Sequence, residues 1–241
     1  MTSLAARQVA IPGRLEPTDL DVAAGELVAL VGPNGGGKTS LLRALARIEG
    51  SSGHVDIDGE DLDRSPPARR RQLLSFLPAS RDVTWPISTR DVIALGLARP
   101  DDNRIDELIH LLELDSLSRR PINRLSTGER ARVLTARALA GKPRVLLLDE
   151  PLSNLDPYWV LRLIDIFEAA AASGQAVLVA LHDLAQLRRF SRALLIGDGE
   201  VQMDDAPASL MASERFQDVF RIQAANGGWA IRKPEGRRSS P

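Results

Sequence analysis

The apolar run Leu27-Val28-Ala29-Leu30-Val31 leads directly into Gly32-Pro33-Asn34-Gly35-Gly36-Gly37-Lys38-Thr39, and Ser40-Leu41-Leu42-Arg43-Ala44-Leu45 follows with helical spacing. No other stretch constrains the fold as tightly. It predicts a strand, a glycine-rich loop and a helix in succession, the repeating unit of α/β architectures. The loop fits the pattern G-x-x-x-x-G-K-[ST]. Its glycines remove Cβ atoms, so backbone N–H groups can close around phosphate oxygens. The helix start near Lys38 adds a field that favours an anion. Lys38 can reach the β- and γ-phosphates of a nucleotide, and the Thr39 hydroxyl can ligate Mg²⁺.

The rest of the chain keeps the same alternation. Val145-Leu146-Leu147-Leu148, Val177-Leu178-Val179-Ala180 and Ala193-Leu194-Leu195-Ile196 read as strands buried on both faces. Helices are predicted over 127–140, running into Gly141 and Pro143, and over 157–172, with Gly174 past the end. Residues 1–30 look like short strands and turns punctuated by Pro12, Gly13, Pro17 and Gly25. Residues 54–57 alternate like a strand ending in Asp58-Gly59, 66–74 read as a basic helix, and Phe76-Leu77 as a short strand. Between 86 and 120, Val92, Ile93, Leu95 and Leu97, then Ile105, Leu108, Ile109, Leu111 and Leu112, recur with helical period and predict a mostly helical insertion.

Composition removes several alternatives. The chain has 241 residues and no cysteine, which excludes disulfides, thiolate metal sites and cysteine nucleophiles. A net charge of −1 gives no polybasic field for nucleic acid. Basic residues are nearly all arginine; lysine occurs only at 38, 142 and 233, which sets Lys38 apart. No apolar run is long enough to span a bilayer, and the N-terminus lacks a basic-then-apolar signal pattern. The chain is therefore expected to be cytoplasmic and to reach a membrane only through a partner.

Asp149-Glu150 closes the strand at 145–148, which predicts both carboxylates beside the phosphate loop, at the edge of a parallel sheet where ligands bind. Asp149 would hold Mg²⁺ through its water shell. Glu150 is free to orient and polarise an attacking water. Leu125-Ser126-Thr127-Gly128-Glu129 opens the helix at 127. Ser126 with Glu129 three residues later reads as a capping box, or the positive helix end binds a phosphate presented by another subunit.

The ordered set of these blocks resembles the ATP-binding cassette ATPases over roughly residues 4–222. Gly32 to Thr39 resembles the Walker A loop. Leu125 to Glu129 resembles the Leu-Ser-Gly-Gly-Gln/Glu signature, with Thr127 in place of the first glycine. Val145 to Glu150 resembles Walker B with its catalytic glutamate. Ser153-Asn154-Leu155-Asp156 is similar to the D-loop, and His182-Asp183 to the switch histidine. The resemblance implies a P-loop NTPase fold with a mixed, mainly parallel core sheet, an N-terminal antiparallel β subdomain and a helical signature subdomain. It implies one ATPase domain over 1–231, divided into a core at about 1–80 and 143–210, a helical part at about 81–142, a C-terminal segment at 211–231, and a polar tail at 232–241. The cofactors implied are ATP and Mg²⁺. ATP would be gripped by residues 32–40 of one subunit and by Ser126, Thr127, Gly128 and Glu129 of a second copy paired head to tail. His182 would contact the γ-phosphate, and Asp156 would align the dimer.

Two positions depart from the family pattern. Ala79 stands where a glutamine normally senses Mg²⁺ and the attacking water. No Phe, Tyr or Trp precedes Phe76, so the usual aromatic partner of adenine is missing and Arg7 or Arg14 could stack on the base instead. The segment 81–96, and to a lesser degree 208–222 and 228–231, is similar to ATPases of iron–siderophore, haem and cobalamin importers. That subfamily implies a homodimer beneath integral-membrane permease subunits, on the cytoplasmic face of the inner membrane, fed by a periplasmic or lipoprotein substrate-binding protein. Trp85 reads either as an apolar anchor for a permease helix or as a core residue. The alternatives are an exporter ATPase, with the same core motifs, a nucleotide-binding regulator that no longer turns over, and a soluble cassette protein of another class. The single cassette and the short spacing between Thr39 and Leu125 speak against the last.

Overall fold

The computed structural model describes residues 2–48, 50–81, 83–225 and 228–232. Of the tail expected at 232–241, all but Arg232 lies outside the described residues. The chain begins with β1 (Thr2–Ile11), β2 (Leu15–Ala23), β3 (Leu27–Val31), α1 (Lys38–Leu45), β4 (Ser52–Ile57) and β5 (Glu60–Asp61). It continues through α2 (Pro67–Leu73), β6 (Leu74–Leu77), α3 (Thr89–Ala94), α4 (Asp102–Leu111), α5 (Thr127–Ala140), β7 (Val145–Asp149), α6 (Pro157–Ala172) and β8 (Ala176–Ala180). It ends with β9 (Arg192–Gly197), β10 (Glu200–Asp205), α7 (Pro207–Ala212), α8 (Glu214–Phe220) and the hairpin β11 (Ile222–Ala225) and β12 (Gly228–Ile231).

A six-stranded sheet in the order β10-β9-β3-β8-β7-β6 forms the centre. Neighbours from β9 through β6 run parallel, and β10 closes one edge antiparallel. Alternate residues of the central strands enter two cores. Ala29, Val31, Leu146, Leu148, Val177 and Val179 face one that includes α5, α6 and the helices at 89–117. Val28, Leu30, Val145, Leu147 and Leu178 face another, shared with α1 and an antiparallel sheet ordered β2-β1-β4-β5. A strand that must feed two cores has no polar alternation, which is why these runs are continuously apolar.

The first thirty residues depart from the sequence expectation. They form strands of 10 and 9 residues, followed by β3, rather than short pieces. The reason is a bulge: Leu4 and Ala6 are buried, then Val9 and Ile11, and the register with β2 slips between Ala6 and Val9, where Gln8 has φ 50°. The bulge shifts the inward set by one residue and hides the period of two. The predicted apolar stripe in the insertion also stops early. Helix α3 ends at Ala94, and Leu95 is largely exposed. Helices α3 and α4 are started by local caps, with Ser88 accepting from the Asp91 N–H and Asp101 from the Arg104 N–H.

Candidate functional site

The parallel pairing brings several loops to one edge of the sheet. Leu30 and Asp149 both pair with Ala180, and Leu77 pairs with Leu148. The segments that follow β3, β6, β7 and β8 therefore leave together, and they carry residues 32–40, Ala79, Glu150 and His182. This is the C-terminal edge at which open α/β sheets bind ligands.

The glycine loop is fixed by close packing. A Cβ on Gly32 would meet the Ile196 carbonyl oxygen at 2.1 Å, so β9 excludes any side chain there. Gly37, at φ 112°, is the N-cap of α1, a backbone conformation that favours glycine. The helix begins at Lys38, so its first N–H groups face the loop. Lys38 is only 6 % exposed. Its Nζ donates to the carbonyls of Gly32 at 2.8 Å and Pro33 at 3.2 Å. Burial lowers the ammonium pKa, and Glu150 and Asp149 oppose that shift. A cavity of 640 Å³ opens beside the loop, lined in part by Gly35, Thr39, Ser40, Arg43 and Arg14. Of the two arginines considered for adenine, Arg14 faces this cavity, whereas Arg7 is paired with Asp21 across β1 and β2.

Asp149 is 1 % exposed, and neither carboxylate oxygen completes a hydrogen bond with the described residues. Burial, then the charge of Glu150, raises its pKa; the Thr39 hydroxyl, the Ala79 N–H and Lys38 face it and oppose the rise. An unpartnered buried carboxylate beside a threonine hydroxyl and a lysine is costly unless a cation joins it. A buried carboxylate and a hydroxyl are oxygen donors of the kind that would suit a hard cation such as Mg²⁺.

Glu150 has φ 49°, a left-handed conformation that costs a non-glycine residue about 1–2 kcal/mol. The turn aims its side chain out of the sheet. Glu150 and His182 line one 440 Å³ cleft together with Ser153, Asn154 and Asp183. The Ser153 hydroxyl donates to Glu150 Oε2 at 3.3 Å. His182 is exposed, while Asp183 caps the following turn through the Ala185 N–H.

The residues at the start of α5 are held apart from these two cavities. Ser126 Oγ accepts from the Glu129 N–H at 3.2 Å, and Glu129 Oε2 accepts from the Ser126 N–H at 2.8 Å, which completes a capping box. The box lowers the Glu129 pKa, first through the Ser126 N–H. It uses the acceptor side of the Ser126 hydroxyl, and the hydroxyl itself also helps lower the Glu129 pKa. None of residues 126–129 lines the cavity beside Lys38 or the cleft at Glu150. Asp156 is likewise a cap, accepting from the Trp159 N–H at 3.0 Å at the start of α6. Trp85 is 70 % exposed and does not belong to the core.

The side chains that tie these loops together leave no signal in the sequence. Arg81 donates to the carbonyls of Glu150 at 2.7 Å and Ser153 at 2.8 Å. Arg132 of α5 stacks over the Trp159 ring at 4.2 Å, and Tyr158 donates to Glu113 at 2.6 Å. Each of these contacts joins distant positions, and no local pattern announces them.

Residues 15–153 match the ABC transporter family. The hemin import ATP-binding protein of Rhodopseudomonas palustris is 35 % identical over 232 residues, covering 90 % of this chain and 87 % of that protein. The petrobactin import ATP-binding protein of Bacillus anthracis is 30 % identical, covering 87 % of this chain and 82 % of that protein. Among solved structures, an ATP-binding subunit of an ABC transporter superposes with a TM-score of 0.79 at 22 % identity, covering 89 % of this chain and 94 % of that one. A dimeric ATP-binding cassette in a post-hydrolysis state with ADP and phosphate superposes with a TM-score of 0.76 at 24 % identity, covering 85 % of this chain and 98 % of that one.

Proposed function

We propose that this chain, which belongs to the ABC transporter family and is an ATP-binding, ATP-hydrolysing subunit of it, powers import of an iron–siderophore, haem or cobalamin-type metal chelate. Hydrolysis rests above all on one observation: the buried, unpartnered carboxylate of Asp149 beside Thr39 and Lys38. The import direction and the cargo class rest on relatives named for hemin and petrobactin import.

In this reading the loop 32–37 and the first N–H groups of α1 wrap the β-phosphate, with Pro33, Asn34 and Ser40 completing the cradle. Lys38 exchanges its two loop carbonyls for phosphate oxygens, a charge-assisted pairing stronger than the one it leaves. Thr39 and Asp149 would hold Mg²⁺, which would neutralise charge on the transferring phosphoryl group. Glu150 orients and polarises the attacking water. His182, across the same cleft, steadies the γ-phosphate. Ser126, Thr127, Gly128 and Glu129 meet that phosphate from a second copy of the chain. The bare Cα of Gly128, where an added Cβ would meet only Leu155 at 3.5 Å among the described residues, suits such an approach. Loss of the γ-phosphate then removes the bridge and opens the dimer.

Among the described residues no helix is long and apolar enough to cross a membrane. Coupling to transport therefore runs through integral-membrane permease subunits at the cytoplasmic face, with a substrate-binding protein delivering cargo from outside. Affinity capture of the chain from gently solubilised membranes, with partners identified by mass spectrometry, tests this. A polytopic permease of the chelate-import type is the expected partner. Recovery of an export-type permease overturns the direction, and recovery of soluble partners alone overturns the transport role.

A further inference from the structure

We propose that Arg81 is a positioning residue for Glu150, tying the acid's backbone to the loop after β6 and, through Arg130, to the start of helix α5. The inference rests on the ATPase reading above and goes beyond it, because Arg81 belongs to none of the motifs that carry that reading.

Three observations support it. First, Arg81 contributes both arms of its guanidinium to one small turn, NH2 to the Glu150 carbonyl at 2.7 Å and NH1 to the Ser153 carbonyl at 2.8 Å. A planar fork can span two carbonyls in this way, whereas an ammonium cannot hold both in fixed geometry. Second, that turn needs holding. Glu150 and Asn154 are both left-handed, at φ 49° and 60°, and among the described residues the other restraints on the acid are the Glu150 N–H to the Ala180 carbonyl and contacts within 150–153. Strained backbone persists only where its surroundings over-determine it. Third, the main chain of Arg81 is itself held, because Arg130 NH1 donates to the Arg81 carbonyl at 3.4 Å while Arg130 NH2 donates to the Leu125 carbonyl at 3.3 Å. Arg130 lies on α5, one residue past the capping box. A displacement of the α5 start relative to the sheet thus reaches the Glu150 backbone through two consecutive arginines. Ala79, two residues before Arg81, has no side-chain polar group with which to make such a link.

The experiment is steady-state ATPase kinetics on the full-length protein bearing Arg81→Ala or Arg81→Lys, alongside fluorescent-nucleotide binding and Tm. A misplaced general base costs turnover and leaves nucleotide affinity alone. Arg81→Ala is expected to lower kcat about 10- to 100-fold while nucleotide Kd stays within about twofold. Arg81→Lys, which keeps the charge and the aliphatic stem, is expected to lose at least about fivefold in kcat at unchanged Tm. Guanidinium ion at millimolar concentration should restore part of the activity of Arg81→Ala, and methylammonium should not. The proposal is overturned if both variants keep kcat within about twofold of the parent protein. It is overturned equally if kcat falls only in step with nucleotide affinity and Tm, the mark of a structural role. Glu150→Gln serves as the reference. If it turns over like the parent protein, the general-base role of Glu150 on which this proposal rests is wrong; if it is silent while the Arg81 variants are active, only the role of Arg81 falls.

Discussion

The glycine loop and the acid-bearing turn meet at one sheet edge but are held in opposite ways. The glycine loop is fixed largely from within. Lys38 binds carbonyls five and six residues back, the Gly36 N–H closes onto the Pro33 carbonyl, and the main outside restraints are the Ile196 carbonyl packed against Gly32 and the Gly199 N–H on the Gly36 carbonyl. The turn at 150–153 is fixed largely from outside, by a guanidinium 69 to 72 positions earlier in the chain. A loop that builds its own geometry can be strongly polarised yet autonomous. A turn held by a remote side chain moves when the remote element moves. The first arrangement suits a phosphate cradle that must stay constant, and the second suits an acid whose alignment depends on the rest of the machine.

Lys38→Ala breaks the autonomous half and carries the largest expected effect. It leaves the Gly32 and Pro33 carbonyls without their cation and removes the charge aimed at phosphate. ATP turnover is expected to fall about 10³-fold together with nucleotide binding, read by colorimetric phosphate release and fluorescent-nucleotide titration. Undiminished hydrolysis in a clean preparation would rule out the phosphate-loop assignment. Glu150→Gln acts on the other half. It preserves the shape of the side chain and its contact with Ser153 but removes the base, so turnover is expected to drop about 10²- to 10³-fold while ATP stays bound. Size-exclusion chromatography with saturating Mg-ATP should then show a trapped dimer. A variant that hydrolyses normally would move the general base elsewhere.

The same contrast explains what could be read from the chain without coordinates. Everything in the glycine loop is contiguous, so Gly32 through Thr39 announced the strand before them and the helix after them in one string. The strand ending in Asp149 was legible because a run serving two cores has no polar residue until its last position. The long strand β1 was obscured by the bulge at Gln8, which exchanges inward and outward positions midway. Arg81 was illegible for a deeper reason. Nothing within ten residues of it says that its guanidinium will meet the Glu150 and Ser153 carbonyls, because that meeting is made by the parallel pairing of β6 with β7. Trp85 illustrates a third case: its apolarity was evident, but only the fold decides between core and surface, and it lies on the surface.

Asp149→Asn sharpens the comparison by separating stability from function. The folded-state pKa of Asp149 is raised by burial, so at neutral pH the ionised form is disfavoured in the native state relative to the unfolded chain. Neutralising it should therefore stabilise the protein in the absence of nucleotide and metal. A gain of about 1 kcal/mol, or a Tm rise of about 2–4 °C for a domain of this size, is expected by differential scanning fluorimetry. Adding Mg-ATP should raise the Tm of the parent protein but leave the variant nearly unchanged, since ligand stabilisation follows affinity. A lower Tm for the apo variant would mean that Lys38 and Thr39 already compensate the carboxylate.

The smallest effect is expected at Ala79, and it bears most directly on how the two halves are joined. Ala79 is exposed, and its N–H faces the Asp149 carboxylate, so a longer side chain there has room to turn toward the same site. Ala79→Gln would add an amide oxygen able to join the Mg²⁺ coordination shell or hold a water of it. If Arg81 already fixes the acid turn, the new amide improves the hold on the cation without realigning Glu150. The Mg²⁺ concentration for half-maximal ATPase activity should then fall about two- to fivefold, with kcat changed by less than about twofold. If instead the link between the loop after β6 and the acid is slack in the parent protein, the glutamine supplies it and kcat itself rises. The two parameters, measured in one Mg²⁺ titration, therefore report which residue of that loop the acid depends on, and identical kinetics would show that position 79 serves neither purpose.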